Sequence, residues 1–313
     1  MSDKHSPVLP GDASGVARAA ELLRAGEAVA VPTETVYGLA ARADSADAVA
    51  QIYRLKGRPD FNPLIVHVGS LDQAEAYAVL DERANGLARR FWPGSLTMVL
   101  PARANSPIAK AVTAGLPTIG LRMPAHELTL SLLASTGLPL AAPSANRSGS
   151  ISPTRAEHVM ASLPGVPVLD GGACRAGLES TIVALREGGG WQVLRPGPIA
   201  ASLLEEVLGC PPESGEHGIE APGQLARHYA PGKPVRLDAQ AAQEGEFLIG
   251  FANVAGESSL SPSGDLAEAA ARLYECLHTA AASDLPRIAV APVPTEGMGE
   301  AINDRLRRAA EPE

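Results

Sequence analysis

The chain has 313 residues, 45% of them hydrophobic and only 4% aromatic. That is enough apolar material for one large domain and a small one, with a core of Ala, Val, Leu and Ile on strands and helices, which favours an α/β protein over an aromatic-rich barrel. The formal net charge of -9 repels a polyanion over most of the surface, so extensive wrapping of nucleic acid is not expected while a local basic pocket remains allowed.

The N-terminal stretch Met1 to Gly15 is polar and carries prolines without the apolar run of a secretory signal, and no later segment approaches membrane-spanning length. Cys174, Cys210 and Cys276 lie far apart with no CxxC pair, which fits neither a disulfide framework nor a zinc site. A cytoplasmic protein with no membrane partner is the expectation. Ser14 is placed to cap a first helix, whose apolar positions Val16, Ala20 and Leu23 recur at helical spacing until Gly26. A strand over Glu27 to Val31 follows, then a helix over about Ala46 to Lys56 that Gly57 and Pro59 end, then a buried-type strand over Leu64 to Val68. Helices are predicted at Asp81 to Phe91, Leu128 to Ala134 and Ile199 to Leu208. Strands are predicted at Leu96 to Leu100, Thr118 to Leu121, Leu138 to Ala142, Ser180 to Leu185 and Trp191 to Leu194. Cys210 to Pro234 is rich in Pro, Gly and Glu without a sustained period and reads as a linker. Beyond it, strands at Phe247 to Phe251 and Ile288 to Ala291 bracket a helix over Asp265 to Ala281, and a last helix follows Gly299. The pattern divides the chain into a large α/β domain over 1–209, a linker over 210–234 and a small α/β domain over 235–313.

Neither GxxxxGK[ST] nor GxGxxG occurs, and His126-Glu127 meets Leu130 where a zinc-protease motif needs its second histidine. What remains is a set of polar residues at the ends of strands and helices, where open α/β sheets place their ligands. They are Pro32 to Leu39 (PTETVYGL), Lys56 to Pro59 (KGRP) with Asn62 to His67 (NPLIVH), Arg122 to His126 (RMPAH), Ala142 to Asn146 (APSAN), and Glu179 to Thr181 with Leu194 to Pro198. Lys56 and Arg58 present a compact charge and a planar fork on either side of a glycine, which suits a polyphosphate; as cations at a helix C-terminus they equally fit the dipole with no ligand at all. Arg122 has the geometry to fix a carboxylate or to sit in a surface salt bridge. His67 reads as a ligand or as a hydrogen-bonded core histidine, and Thr33, Ser144, Asn146, Ser180 and Thr181 as ligands or as turn and cap residues.

These clusters, in this order, resemble the YrdC family over about residues 15 to 205, in PTETVYGL, KGRP, NPLIVH, WPGSLT, VTAGLPTIGLRMPAH, AAPSAN, SPT, DGG, ESTIV and LRPGPI. HYAP at His228 to Pro231 and GMGEAINDRLRRAA from Gly297 are similar to the linker and C-terminal end of its longer, two-domain members. The resemblance implies a twisted open α/β sheet with a concave basic cavity, joined to a small C-terminal α/β domain. It implies synthesis of threonylcarbamoyl-AMP from L-threonine, bicarbonate and ATP, for transfer machinery that modifies tRNA. Lys56, Arg58, Ser144 and Asn146 match the family's KxR and SxN positions, with Lys56 and Arg58 in the catalytic role. Ser152, Arg195 and Tyr229 match positions near ATP, and Thr33, His67, Arg122 and Ser180 match positions around threonine. With no dense cluster of carboxylates in the sequence, magnesium is expected to ride on the ATP phosphates and no residue is named as a metal ligand. Tyr229, flanked by Arg227 and His228, is suited to cover a nucleotide, and the linker is the candidate lid. The rival reading is a double-stranded RNA-binding module docking on the basic cavity, against which the acidic charge and the lack of a basic-aromatic stripe both weigh.

Overall fold

The first helix begins two residues earlier than its serine suggested. Asp12, not Ser14, is the cap: its carboxylate accepts from the Ser14 and Gly15 N–H groups, and the helix runs Ala13–Arg24 with Val16, Ala19, Ala20, Leu22 and Leu23 buried. An ionised acceptor is the stronger cap at a helix N-terminus, where it also meets the dipole. The computed structural model of the protein describes residues 8–215, 218–224 and 228–312, so Arg227 lies outside the described residues.

A ten-stranded mixed sheet forms the larger unit. Its strands are β1 (Val8–Leu9), β2 (Val29–Val31), β3 (Gly38–Arg42), β4 (Ile65–His67), β5 (Leu96–Pro101), β6 (Thr118–Arg122), β7 (Leu140–Ala141), β8 (Val168–Leu169), β9 (Thr181–Leu185) and β10 (Trp191–Arg195). They lie in the order β1-β8-β2-β3-β7-β4-β6-β5-β9-β10. Helices α1 (Ala13–Arg24), α2 (Ala46–Lys56), α3 (Leu71–Tyr77), α4 (Glu82–Phe91), α5 (Lys110–Thr113), α6 (Glu127–Thr136), α7 (Ala156–Ser162) and α8 (Ala201–Leu208) accompany it. Antiparallel pairs β2–β3 and β3–β7 interrupt the parallel ones. One consequence is that β3 and the end of β7 bring PTETVYGL and APSAN side by side: Gly38 bridges Ser144, and the Ala145 N–H donates to Tyr37 O at 2.7 Å.

The second unit is a four-stranded parallel sheet, β11 (Val235–Arg236), β14 (Arg287–Val290), β12 (Glu246–Gly250) and β13 (Ser258–Ser259) in that order, with α9 (Leu266–Ala282) and α10 (Met298–Ala310). Its apolar core does not stop at the linker. Phe247, Leu273, Tyr274, Leu277 and Ile302 are buried in one cluster with Val36, Ile151 and Leu178 of the first unit and Tyr229 of the linker. Burying those side chains together ties the units into one packed body. Among the described residues no helix is long and apolar enough to cross a membrane.

Backbone contact is closest at Gly177, which has φ +67 and sits against α9 so tightly that a Cβ there would run into Ala271 Cα and Ala270 O. No L side chain fits such a place without strain and displacement. Gly177→Ala is therefore expected to lower stability by about 2–4 kcal/mol, combining left-handed strain and overpacking, read as a drop in the urea midpoint; an unchanged midpoint would show that the units do not meet there.

Candidate active site

The strand ends converge on a narrow, polar-lined cavity of about 40 Å³. Thr33, Arg58, His67, Arg122, Ser144, Ser180, Arg195 and Tyr229 all line it. Lys56, Asn146 and Ser152 stand behind that wall and brace it, as the following contacts show.

Lys56 is the last residue of α2, and Gly57 in the left-handed conformation (φ 60) ends the helix. Lys56 falls on the buried face of the helix, four residues after Ile52, where it is 3% exposed and donates from Nζ to the Ser144 and Asn146 carbonyl oxygens, both at 2.6 Å. Asn146 Nδ2 donates to Arg147 O and Ser150 O, closing the loop around the lysine. Arg58 is buried as well and donates to the Asn62 and Pro63 carbonyls at 3.2 and 2.9 Å. The solvated helix-end alternative is thereby ruled out for both. Burial, reinforced by Arg58, pulls the Lys56 pKa well below the usual lysine range, and burial brings Arg58 down to about 10, so the arginine keeps its charge at neutral pH. Arg195 donates from Nε and Nη2 to Ser180 O at 3.1 and 3.0 Å and from Nη2 to Ser180 Oγ at 3.1 Å. All three cations are held by neutral oxygens, and no ion pair to a carboxylate is seen for any of them among the described residues.

Arg122 differs. It is 4% exposed, so it forms no surface salt bridge; its Nη2 meets Glu34 Oε1 at 2.5 Å and its Nε donates to Gly94 O at 3.1 Å. Glu34 also accepts from Ser95 Oγ at 3.0 Å and the Ala125 N–H at 2.9 Å. Burial pushes the Glu34 carboxyl up, but the Arg122 charge and these hydrogen bonds outweigh it, and the pKa falls below its ordinary value. A locked carboxylate thus aims the guanidinium at the cavity, which is the geometry for gripping a ligand's carboxylate. Sequence reasoning passed over Glu34 although it stands inside PTETVYGL; the available signal was that a carboxylate in an apolar run needs a cation.

His67 carries no hydrogen bond at its buried Nδ1, and burial pushes its pKa down to about 3. It is therefore a neutral imidazole facing the cavity, not a satisfied core histidine. The Thr33 hydroxyl donates to Val36 O at 2.7 Å and accepts from the Thr35 and Val36 N–H groups at 3.1 and 3.2 Å. Those bonds use its capacity, so as placed it shapes the turn that brings Thr35 and Val36 to the cavity wall. Ser180 Oγ lies 2.8 Å from Thr97 Oγ1. From the linker, Pro222, Gly223, His228 and Tyr229 complete the lining. Tyr229 is 1% exposed with its hydroxyl unpartnered. The cation beside its ring is Arg305, 5.4 Å from the centroid, and His228 is no cation because burial lowers its pKa to about 3.

Glu179 lines the cavity too, and accepts from Ser152 Oγ at 2.5 Å, Tyr274 Oη at 2.8 Å and Arg305 Nε at 2.9 Å. Sequence reasoning missed Tyr274 and Arg305. The signal was there in α10, where Ala301, Ile302, Leu306 and Ala309 form the buried stripe and Arg305 falls within it; an arginine on an apolar helix face requires a buried anion.

Comparisons with known proteins agree with this layout. The Sua5/YciO/YrdC family model, described as telomere recombination, matches residues 21–197, and a model described as threonylcarbamoyl-AMP synthase, C-terminal domain, matches 199–311. The chain belongs to the Sua5/YciO/YrdC family. It is 40% identical to the threonylcarbamoyl-AMP synthase of Bacillus subtilis, over 94% of this chain and 92% of the relative. It is 38% identical to that of Pyrococcus abyssi, covering 93% of each. The crystal structure of P. abyssi Sua5 complexed with L-threonine superposes with a TM-score of 0.88, at 35% identity and 97% coverage of both chains.

The buried carboxylate also sets a pH dependence. Burial raises the Glu179 pKa, but Arg305, Arg195 and the bond from Ser152 lower it further, from the ordinary 4.5 to about 2. A depressed folded-state pKa stabilises the protein above the unfolded value and loses that contribution as pH falls through the folded one. Stability is expected to drop between about pH 4.5 and pH 2. Glu179→Gln should cost about 1–3 kcal/mol at neutral pH by weakening the bonds from Ser152, Tyr274 and Arg305, since Arg305 keeps Asp304 at 2.7 Å, and should flatten the acid limb; a variant with the wild-type acid profile would contradict the assignment.

Proposed function

We propose that this chain joins L-threonine, bicarbonate and ATP into threonylcarbamoyl-AMP with release of pyrophosphate. The observation that carries the reading is the match, over nearly the whole of both chains, to a structure solved with L-threonine bound. In that reading the Arg122 guanidinium, oriented by Glu34, takes the threonine carboxylate, and neutral His67 and Ser180 face its hydroxyl and amine. The amine adds to bicarbonate with loss of water, and the resulting carbamate oxygen attacks the α-phosphorus of ATP. Pyrophosphate leaves, and no covalent enzyme intermediate is needed.

Catalysis is then positioning and charge stabilisation. Lys56, Arg58 and Arg195, lacking carboxylate partners of their own, neutralise the charge that builds on the transferring phosphoryl group. Ser144, Asn146 and Ser152 keep those cations and the nucleotide loop in register. Both carboxylates at the cavity, Glu34 and Glu179, are engaged by protein donors, so magnesium enters with ATP as part of the substrate. Tyr229 and the linker close over the cavity and keep water from the carbamate and the adenylate. The RNA-binding rival is not favoured: Arg58 and Arg195 are 8% and 4% exposed, out of reach of a duplex. Transfer to tRNA would fall to separate machinery in the same compartment, for which the cytoplasm is the natural place.

Pyrophosphate release is expected only when threonine and bicarbonate are both present, and release without threonine would refute the reading. Lys56→Ala and Arg58→Ala should each raise the barrier by about 2–4 kcal/mol with the fold retained, measured as steady-state turnover beside circular dichroism. Near-normal turnover in both would remove them from the chemistry. Serine should be a poor substrate and valine a far poorer one, since a lost methyl costs about 1–3 kcal/mol whereas an absent hydroxyl leaves buried polar groups unpaired; equal rates for valine and threonine would show that the hydroxyl is not read.

A further inference from the structure

The second domain reaches the cavity through one carboxylate and one ring. Glu179 belongs to the first unit, yet two of the three side chains that donate to it, Tyr274 from α9 and Arg305 from α10, belong to the second. The third is Ser152, a residue of the nucleotide loop, whose carbonyl is bonded as well: His278 of α9 lies with Nε2 at 3.1 Å from it. Ser152 is thus held at its backbone by the second domain directly and at its hydroxyl through Glu179, which Tyr274 and Arg305 hold in turn. Arg305 has a second task. Its guanidinium lies 5.4 Å from the centroid of the Tyr229 ring, Tyr274 lies 5.6 Å from the same ring, and the neighbouring His228 N–H donates to Arg308 O at 3.2 Å. A cation over a buried aromatic face and a ring packed beside it hold the tyrosine more firmly than apolar contact alone. They act at a residue with left-handed backbone (φ 63), a conformation that needs its surroundings to persist.

We propose that Arg305 and Tyr274 are positioning residues for the nucleotide half of the site: through Glu179 they fix Ser152, and through the Tyr229 ring they hold the linker across the cavity. The inference rests on the functional reading above and gives the second domain a defined part in it. Arg305 is also the larger of the two charges that balance Glu179 in the wall where phosphates must bind, Arg195 being the other. With Arg305 in place the wall carries a carboxylate whose charge is spent within the protein, and the cations opposite remain free for the ligand.

The test compares the full-length protein with Arg305→Met, Tyr274→Phe, Arg305→Lys and the double variant Arg305→Met/Glu179→Gln, by steady-state kinetics and by amide hydrogen exchange. Arg305→Met is expected to raise the KM for ATP about tenfold or more while the KM for threonine stays within about twofold, and to speed exchange at residues 150–152 and 228–230. The double variant, which removes the stranded charge along with its partner, should recover part of the ATP KM, because residues in one network do not act additively. Arg305→Lys should fall between, keeping the charge but not the planar fork. Parallel losses for both substrates, or unchanged exchange at those segments, would overturn the proposal and leave a structural domain contact only. If the wild-type protein itself makes no adenylate, the functional reading fails, and the exchange comparison alone decides whether Arg305 holds the linker and Ser152.

Discussion

Burying a cation without an anion beside it is unfavourable unless something else later supplies the charge, and this protein does so at Arg58 in the cavity and at Lys56 behind its wall, while Arg195 feels the Glu179 carboxylate. Lys56, Arg58 and Arg195 are nearly excluded from water and tied only to carbonyl and hydroxyl oxygens. The surrounding architecture serves that arrangement. The buried face of α2 carries Lys56 inward, the antiparallel β3–β7 pair sets its two carbonyl acceptors in place, and β9 and β10 bring Ser180 against Arg195. Hydrogen bonds to neutral oxygens keep the charged ends in position without neutralising them. Under the proposed function, the ATP phosphates complete such a site.

Where the protein does place carboxylates, it neutralises them. Glu34 answers Arg122 and Glu179 answers Arg305. The contrast divides the cavity into a side where a paired arginine is aimed by its own carboxylate and a side where Arg58 is held by neutral oxygens alone. The same two glutamates link the cavity to the scaffold: Glu34 to β6 and the loop after it, Glu179 to α9 and α10. The two-domain build is therefore part of the chemistry. Removing the second domain would strand Glu179 and free Tyr229 at once.

Much of this was legible in the sequence. The helix over Ala46–Lys56 and the strands at Leu96, Thr118, Thr181 and Trp191 follow from their apolar periods and from Gly57, because those elements bury one continuous face. Short elements were not foreseen. The strands Val8–Leu9 and Val168–Leu169 and the helix Ala156–Ser162 are too brief to carry a period, and Gly38–Arg42 has little β-branching to announce a strand that neighbours on both sides impose. At the site, motif residues could be grouped, but their partners could not. That Arg122 is aimed by Glu34, that Thr33 uses its hydroxyl in its own turn, and that Tyr229 rests on Arg305 are facts of tertiary approach between residues far apart in the chain. His67 shows the limit most clearly, since only burial distinguishes a neutral, unsatisfied imidazole from a core histidine with its bonds made.

The account turns on cations that are stored uncompensated and completed by ligand, and a thermal-shift titration with ATP and with pyrophosphate, on the wild type and on Arg58→Met, tests that most directly. A ligand that binds only the folded state raises the melting temperature by mass action. The wild type should therefore gain several degrees, whereas Arg58→Met should melt no lower than the unliganded wild type, because a strained buried charge has gone, and should gain little from either ligand. A variant that melts well below the wild type yet keeps the full ligand-induced gain would contradict it, showing that Arg58 stabilises the fold and does not wait for phosphate.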